Sequence, residues 1–411
     1  MHIETFNKIV MIVFYVCYFY QFIYLFIPLV MKKPNYTNDK KNHYAILIAA
    51  RNEESVIGNL ISSIYSQTYP QEYIDIYVGA DNCSDATAAI AKAMGVNVFE
   101  RSNKEQVGKG YVLNFLLNQI KQLGKKYDGY IIFDADNVLD PNFIKEINRV
   151  YNEGYQAITS YRNSKNYGDN WLSAGYGLWY LHESCHLNQS RMLIKSSCSI
   201  SGTGFLISQK LVDKYDGWNF FLLTEDIEFT ADSVVSRNKI GYASNAVLYD
   251  EQPTNFMQSY RQRLRWSKGY LQVFGKYGKD LIKGIFRGDF SSYDMTMNYA
   301  PAAILSFTSI LVNVCAIIVT YLKNDSFTYL MNSIKELALG MYLALFIISV
   351  MTTITQWNKI YCSTYKKILY TFTCPLFLIT YLPISIIAIF KKVSWTPISH
   401  NRVLTLDQIK K

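Results

Sequence analysis

The sequence predicts an α/β domain with a mainly parallel sheet, flanked at both ends by α-helical transmembrane segments. Two observations support this fold class. Between residues 43 and 250, short apolar runs alternate with stretches of helical length, a pattern typical of a parallel sheet covered by helices on both faces. Long apolar runs occupy the first 31 residues and much of the chain after residue 296, and about twenty apolar residues are enough to cross a bilayer.

The N-terminal segment, 1–31, contains an apolar run at 6–31 in which Lys8 is the only charged residue. This run is too long for a signal peptide, and no small-x-small cleavage site follows it, so we expect an uncleaved transmembrane helix. Because basic residues favour the cytoplasmic side of a membrane, the next domain is expected in the cytoplasm. The basic residues that follow the run are Lys32, Lys33, Lys40 and Lys41.

The middle domain is predicted at 43–254. A helix within it is expected to begin at a cap formed by Ser84 or Asp85 and to end at Gly95. The C-terminal ends of the strands, where ligands bind in such sheets, carry Asp81, Asp134 and Asp136. The expected strands are 44–50, 74–81, 96–100 and 130–133, and the other expected helices are 53–66 and 110–123.

The C-terminal third is predicted to contain amphipathic interfacial helices at 255–290 and a transmembrane region at 296–392 with two to three spans. The candidate spans are 296–322, 337–357 and 368–390. Three full crossings would leave the basic tail, 393–411, on the outside, against the positive-inside rule. We therefore favour re-entry without crossing for the last segment, which Pro375 and Pro383 interrupt.

The composition narrows the function classes. The formal net charge is +9, but the basic residues lie beside apolar stretches and form no long run, which favours the lipid bilayer as a partner and argues against nucleic acid. The seven cysteines contain no CxxC pair, and the five histidines contain no HExxH. Neither a disulfide framework nor a zinc site is expected.

A pair of carboxylates ends the strand in GYIIFDADNVLDP, residues 129–141. Asp134 and Asp136 are separated by one residue, and their repulsion would be relieved by a divalent cation. Oxygen-rich sites of this kind suit Mg²⁺ or Mn²⁺, which usually also bind substrate phosphates. A surface turn with helix-capping aspartates is the alternative.

A second acidic group lies in LLTEDIEFTADSVV, residues 222–235. Thr224 is expected to cap a helix, and Glu225 and Asp226 fall in its first turn, where the helix dipole stabilises negative charge. The sequence leaves two interpretations open: a well-capped helix, or a carboxylate that acts as a general base.

Basic and aromatic residues alternate in YRQRLRWSKGYLQ, residues 260–272. At helical spacing, Gln262, Arg265 and Trp266 share one side. A guanidinium group suits a pyrophosphate, and an indole face suits a sugar ring or a base. The alternative is an amphipathic helix that lies on the membrane surface.

Two shorter motifs are expected to lie near the same ligand site as the acidic and basic groups above. SGTGF, residues 201–205, allows close approach of the backbone to a ligand, and VGKGYVLN, residues 107–114, places Lys109 before a helix. A glycine-rich turn and a solvated lysine are the respective alternatives.

Taken in order, these motifs resemble those of membrane-embedded, inverting glycosyltransferases of family 2, which include cellulose, chitin, hyaluronan and poly-N-acetylglucosamine synthases. The resemblance covers roughly residues 44–275 and the flanking spans. TED followed by QxxRW is its most specific part. The motifs are ARNEE (50–54), ADNCSDAT (80–87), GKGYVLN (108–114), DADN (134–137), SGTGF, TEDIEF (224–229) and QRLRW (262–266).

The resemblance implies a GT-A-type, Rossmann-like cytoplasmic domain and a role for each matching residue. For the donor, it implies that Glu53 and Asp81 contact the nucleotide and that Lys109 lies near the nucleotide or its phosphates. Asp134 and Asp136 would form a site for Mg²⁺ or Mn²⁺, with Asp136 most directly on the metal.

For the acceptor and the chemistry, the resemblance implies that Gly202 and Thr203 border the acceptor sugar. Asp226 would be the catalytic base, with Glu225 beside it. Gln262, Arg265 and Trp266 would hold the pyrophosphate and the acceptor.

The predicted function is transfer of a sugar, with inversion, from a UDP-sugar to the hydroxyl of a growing polysaccharide by a multi-pass enzyme of the cell membrane. The alternative is transfer of one or a few sugars to a membrane lipid. A third class of function is a non-enzymatic receptor or transporter. Such a protein would have no reason to cluster Asp81, Asp134, Asp136 and Asp226. The motif WTPISH, 395–400, has no assignment, and a homo-oligomer is left open.

Overall fold

The computed structural model describes residues 3–299, 301–323, 327–398, 400 and 402–410. Three of the predicted segments therefore extend beyond the described residues. In 1–31 these are residues 1–2, in 296–392 they are residues 300 and 324–326, and in 393–411 they are residues 399, 401 and 411.

The α/β domain contains one eight-stranded sheet with the order β3-β2-β1-β4-β7-β6-β8-β5. Four of the seven strand pairings are parallel: β1 with β2, β1 with β4, β2 with β3, and β6 with β8. The predicted mainly parallel sheet is thus confirmed on the β1 side, whereas β7 and β5 run antiparallel to their neighbours. The strands are β1 (Tyr44–Ala50), β2 (Ile74–Asp81), β3 (Asn97–Arg101), β4 (Gly129–Asp134), β5 (Val138–Leu139), β6 (Ala157–Ser164), β7 (Phe205–Ser208) and β8 (Ile240–Asp250).

Helices cover the sheet and form both ends of the chain. A π-helical segment, Glu183–Asn188, joins two of them without a break. The α-helices are α1 (Ile3–Val30), α2 (Ile57–Tyr65), α3 (Thr87–Ala93), α4 (Lys109–Gln122), α5 (Phe143–Tyr151), α6 (Trp171–His182), α7 (Gln189–Leu193), α8 (Gln209–Tyr215), α9 (Glu225–Val235), α10 (Phe256–Phe286), α11 (Phe290–Tyr299), α12 (Pro301–Leu322), α13 (Thr328–Thr355), α14 (Thr364–Ile379), α15 (Tyr381–Phe390) and α16 (Leu406–Ile409).

The core fixes where the strands of the parallel half end. Ile46, Leu47 and Ile48 of β1 and Ile131 of β4 are wholly buried, because helices cover both faces of these strands. Burial of one such side chain contributes roughly 1.5–3 kcal/mol. The register pairs Ala49 of β1 with Asp134, so packing of the apolar residues also holds that carboxylate at the edge of the sheet.

Two helix starts differ from the sequence prediction. Helix α2 begins at Ile57, because residues from Glu53 form a turn in which the Glu53 carbonyl accepts from the Val56 and Ile57 amides. The N-cap residue of α3 is Ala86. The prediction that Ser84 or Asp85 occupies the N-cap position is therefore wrong. Asp85 still accepts hydrogen bonds from the Thr87 amide and hydroxyl.

Four helical segments among the described residues are long and apolar enough to cross a membrane: Ile3–Val30, Ile304–Leu322, Thr328–Thr355 and Thr364–Phe390. The last segment is divided between α14 and α15 at Thr380, whose hydroxyl accepts from the Arg263 guanidinium of α10 at 2.5 Å. The chain contacts the α/β domain both before and after this segment. Gln356, before α14, accepts from the Tyr161 hydroxyl, and after α15 the side chain of Arg402 pairs with Asp169 at 2.7 Å.

Candidate active site

A cavity of about 610 Å³ opens at the C-terminal ends of β1, β2 and β4 and extends between the helices of the membrane region. Thr203 is the one predicted site residue that does not line this cavity. It lies beneath the floor, where its hydroxyl accepts from the Asp134 amide and donates to Asn137. The predicted residues that line the cavity are Glu53, Asp81, Lys109, Asp134, Asp136, Gly202, Glu225, Asp226, Gln262, Arg265 and Trp266.

The two aspartates of the DADN motif face the same cavity because the chain turns there, with the Asn137 amide bonded to the Asp134 carbonyl. Asp134 accepts from the Lys109 ammonium group at 2.5 Å. Asp136 is buried and accepts from the Glu251 amide at 2.8 Å. Burial alone would raise the pKa of Asp136, but the nearby positive charges of His400 and Lys165 lower it below its usual value.

These carboxylates fit a cation that is shared with a ligand. The described residues contain no group of three or more His, Cys, Asp or Glu side chains arranged to hold a metal by themselves. Asp134 and Asp136 offer hard oxygen donors, and Mg²⁺ typically takes one or two carboxylates together with substrate phosphates and water. The donor set therefore suits Mg²⁺ or Mn²⁺ bound together with a diphosphate.

The side of the cavity formed by the ends of β1 and β2 is acidic. Asp81, at the end of β2, accepts from the Arg101 guanidinium at 2.6 Å. Glu53 follows β1 and is held by His400, whose Nδ1 lies 3.0 Å from a carboxylate oxygen. Burial raises the pKa of Glu53 despite this partner. Both carboxylates are thus fixed by basic side chains from other segments.

The C-terminal segment after α15 crosses this side of the cavity, which the sequence did not predict. Burial would lower the pKa of His400, but the charge of Asp136 and the hydrogen bond and charge of Glu53 raise it to about 10. The Trp395 ring lies 5.3 Å from the guanidinium carbon of Arg51. No local pattern reveals these contacts, because they join residues more than 250 positions apart. The segment's lining residues are Trp395, Thr396, Pro397, Ile398 and His400.

Glu225 and Asp226 begin α9 inside the cavity. Asp226 accepts from the Gly202 amide at 2.6 Å. Burial raises the pKa of both carboxyls, and the charge of Asp226 helps to raise that of Glu225 to about 7. Thr224 occupies the N-cap position of α9, as predicted, but its side chain makes no capping hydrogen bond, and its hydroxyl has no partner among the described residues.

The SGTGF segment connects the two acidic groups. Gly202 adopts φ +77°, which favours glycine. Its amide donates to Asp226, and its carbonyl accepts from Lys109 at 2.7 Å. Since Lys109 also contacts Asp134, one backbone turn links the TED motif to the DADN motif. Gly204 packs tightly against the protein itself, since a Cβ there would lie 1.9 Å from a Leu248 methyl group; the predicted approach of this backbone to a ligand stays a prediction.

Helix α10 brings the QxxRW residues to the cavity from the membrane side. The Gln262 side-chain oxygen is buried without a partner among the described residues. Arg265 donates to the Leu223 carbonyl at 3.3 Å, and the Trp266 ring meets Tyr176 edge-on, with the ring centroids 5.8 Å apart. Both Arg265 and Gln262 therefore retain hydrogen-bonding capacity for a ligand.

The membrane end of the cavity is largely apolar, with Gln21, Asn298 and Ser306 as polar exceptions, and the sequence did not predict it. Aliphatic and aromatic side chains from α1, α13, α14 and α15 form its walls, continuous with the acidic end. They include Val10, Met11, Phe14, Phe22, Leu337, Met341, Ala344, Leu345, Ile348, Leu378, Ile379 and Leu382.

The α/β fold, the acidic cavity at its strand ends and the candidate membrane helices are together typical of membrane-associated enzymes that act on nucleotide sugars. The family described as "Glycosyltransferase like family 2" matches residues 41–269, more than half of the chain. The protein belongs to glycosyltransferase family 2.

Curated relatives include both lipid and polysaccharide enzymes. A beta-monoglucosyldiacylglycerol synthase of Synechocystis is 24% identical over 56% of this chain and 48% of its own. A poly-beta-1,6-N-acetyl-D-glucosamine synthase of Staphylococcus aureus is 25% identical over 59% of this chain and 58% of its own. The matched region thus spans about half the length of each relative.

Among solved structures, a mannosyltransferase from Pyrobaculum calidifontis in complex with GDP-Man and Mn²⁺ superposes with a TM-score of 0.61 at 13% identity. The match covers 95% of this chain and 99% of the other. The fold is therefore GT-A-like, as predicted.

Proposed function

We propose that the protein transfers a sugar, with inversion, from a UDP-sugar to an acceptor hydroxyl at the cytoplasmic face of the cell membrane. The observation that carries this proposal is the shared cavity. Four carboxylates from three separate segments, at Asp81, at Asp134 and Asp136, and at Asp226, line one cavity together with Arg265. A receptor or transporter gives no reason for this convergence.

In this proposal, the donor lies across the ends of β1, β2 and β4. Asp81 and Glu53 contact the nucleoside, and Lys109 and Arg265 direct positive charge at the diphosphate, a suitable partner for a guanidinium group. The Gln262 amide oxygen, which has no partner among the described residues, can accept a hydrogen bond from a hydroxyl of the acceptor. Asp134 and Asp136 would hold Mg²⁺ or Mn²⁺, which when bound would offset charge on the diphosphate.

Asp226 acts as the general base in this proposal. It takes the proton of the acceptor hydroxyl while that oxygen attacks the anomeric carbon, and the bond from that carbon to the UDP oxygen breaks. One displacement inverts the anomeric centre and releases UDP. The raised pKa of Asp226 supports this role, because a base is most effective when its pKa lies closer to the working pH.

The sequence predicts a growing polysaccharide as the acceptor, and the relation to a poly-N-acetylglucosamine synthase supports it. The second candidate is a membrane lipid that receives one or a few sugars. The apolar membrane end of the cavity favours this candidate, because hydrocarbon walls suit an acyl chain better than a hydroxyl-rich polymer. The relation to monoglucosyldiacylglycerol synthases supports it as well.

We further propose that α1, α12 and α13 cross the membrane and that α14 and α15 re-enter it, so that the basic tail stays in the cytoplasm. Contacts on both sides of this segment support the topology, since Gln356 and Arg402 each bond to the α/β domain. It also removes the conflict with the positive-inside rule.

The test is incubation of the full-length protein, purified in lipid nanodiscs, with a panel of UDP-sugars and Mg²⁺ or Mn²⁺. We expect UDP release with at least one donor, with product mass separating long glycans from glycolipids. The absence of UDP release with every donor, lipid and glycan primer would contradict the proposal.

A further inference from the structure

Glu183 is a carboxylate in the catalytic cavity that belongs to none of the sequence motifs. It is the first residue of the π-helical segment that follows α6, and it lines the cavity together with Asp226. Segments of π-helix are rare and occur frequently at functional sites. The position of Glu183 therefore calls for an explanation other than helix formation.

The carboxylate of Glu183 holds the start of the SGTGF turn. The Ser201 hydroxyl donates to Glu183 Oε1 at 2.5 Å, and among the described residues this is the only hydrogen bond that the carboxylate makes. On the other side of the same residue, the Ser201 carbonyl accepts from the Arg162 guanidinium at 2.8 Å. Ser201 is thus anchored through both its side chain and its backbone.

The anchored residue directly precedes the amide that contacts the proposed base. The Gly202 amide donates to Asp226 at 2.6 Å, and the Gly202 carbonyl accepts from Lys109 at 2.7 Å. Gly202 has a left-handed backbone conformation, and glycine has more conformational freedom to lose than any other residue. A turn of this kind keeps one orientation only when its neighbours hold it.

A buried carboxylate is a costly group with which to hold the Ser201 hydroxyl in place. Burial raises the pKa of Glu183, while the hydrogen bond from Ser201 and the charges of Arg191 and Arg162 favour its ionised form. Burial of a charge costs free energy unless partners compensate for it. Among the described residues, Ser201 is the only hydrogen-bonding partner of this carboxylate, so the bond between them is the contact that ties Glu183 to the SGTGF turn.

We propose that Glu183 is a positioning residue that acts through Ser201: it fixes the Gly202 amide against Asp226 and so orients the base towards the acceptor hydroxyl. The proposal rests on the proposed function, in which Asp226 is the base. A displacement of about 1 Å in a catalytic group can lower the rate by about 10²-fold.

The experiment compares Glu183→Ala, Glu183→Gln, Ser201→Ala and the double variant Glu183→Ala/Ser201→Ala in nanodiscs, with the donor and acceptor that the wild-type protein uses. We expect Glu183→Ala and Ser201→Ala each to lower kcat by about 10²-fold, with the affinity for UDP unchanged. Glu183→Gln keeps an acceptor oxygen at the same distance and should recover most of the rate. The double variant should be no slower than either single variant, because both remove the same bond.

The matched control is Ser233→Ala, on the same helix as Asp226 but outside the cavity lining. The Ser233 hydroxyl is buried and has no hydrogen-bond partner among the described residues. We expect wild-type kcat from this variant.

Three results would overturn the proposal: normal kcat in Glu183→Ala or Ser201→Ala, losses that multiply in the double variant, or UDP affinity that falls in parallel with kcat. If Glu183→Ala does not fold, Ser201→Ala and Glu183→Gln still decide the question. Failure of the proposed function looks different, because wild-type activity would then survive Asp226→Asn.

Discussion

Two clusters of buried charge in this protein use similar residues in opposite ways. Asp294 of α11 is completely buried, and its carboxylate accepts five hydrogen bonds from protein donors: two from Arg191 and one each from Tyr20, Tyr24 and Asn298. Asp226 is also buried, yet Gly202 is the only described residue outside α9 from which its carboxylate accepts a hydrogen bond.

The number of hydrogen bonds that each carboxylate accepts distinguishes a charge that stabilises the fold, Asp294, from a charge that is available to a ligand, Asp226. Satisfied buried pairs have no capacity left for substrate, and removal of one partner leaves an uncompensated charge. Asp226 instead faces a cavity and has a raised pKa, which is typical of functional carboxylates. The two clusters therefore predict opposite outcomes for the same substitution.

Loss of the proposed base should change the catalytic rate more than any other substitution considered below. Asp226→Asn should lower kcat by about 10²–10⁴-fold, the usual contribution of a general base, with little change in thermal stability. UDP release in the presence of acceptor measures the rate. Asp232 lies on the same helix and accepts a hydrogen bond from the Tyr215 hydroxyl. Asp232→Asn therefore serves as the control and should keep most of the activity. Equal activity of both variants would remove Asp226 from the mechanism.

The opposite outcome is expected for the closed cluster. Asp294→Asn should lower the free energy of unfolding by about 3–5 kcal/mol, because Arg191 is left buried without its counter-charge. Thermal unfolding in detergent measures the loss. The exposed pair of Asp280 with Lys283 gives the control, since Asp280→Asn should change stability by less than about 1 kcal/mol. Equal melting temperatures for the two variants would contradict the comparison.

A smaller effect is expected at the apolar end of the cavity. If the acceptor is a lipid, Ala344→Phe should lower its kcat/KM by about 10-fold or more, because the larger ring occupies space for an acyl chain. The affinity for UDP should not change. Ala338→Phe, an exposed position on the same helix, is the control. Unchanged lipid kcat/KM in Ala344→Phe would favour the polysaccharide acceptor.

The smallest expected effect concerns stability and pH. Burial and the charge of Asp226 raise the pKa of Glu225 to about 7 in the folded protein, so folding favours the protonated carboxyl. The stabilisation from this proton is present at pH 4 and is lost as the pH rises through about 7. Glu225→Gln, which remains neutral, should therefore melt higher than the wild type at pH 8 and equally at pH 4. A lower melting temperature at pH 8 would contradict this sign.

The sequence predicted the strands at 44–50 and 74–81 with the bounds that the structure has, because continuous apolar runs and polar ends define buried parallel strands. It also predicted that Asp136 and Asp226 share a cavity. It missed His400, Glu183 and the apolar walls. These depend on contacts between distant segments and on helix packing, and neither leaves a local pattern.

The proposed role of Asp134 and Asp136 is to bind a nucleoside diphosphate through a divalent cation. Calorimetric titration of the full-length protein with UDP, with and without Mn²⁺, tests this role. We expect binding that requires Mn²⁺ and is lost in Asp136→Asn, while Asp140→Asn, at the surface pair with Lys410, binds normally. Equal UDP affinity in the presence and absence of Mn²⁺, or normal binding by Asp136→Asn, would show that these carboxylates do not bridge to the nucleotide through a metal.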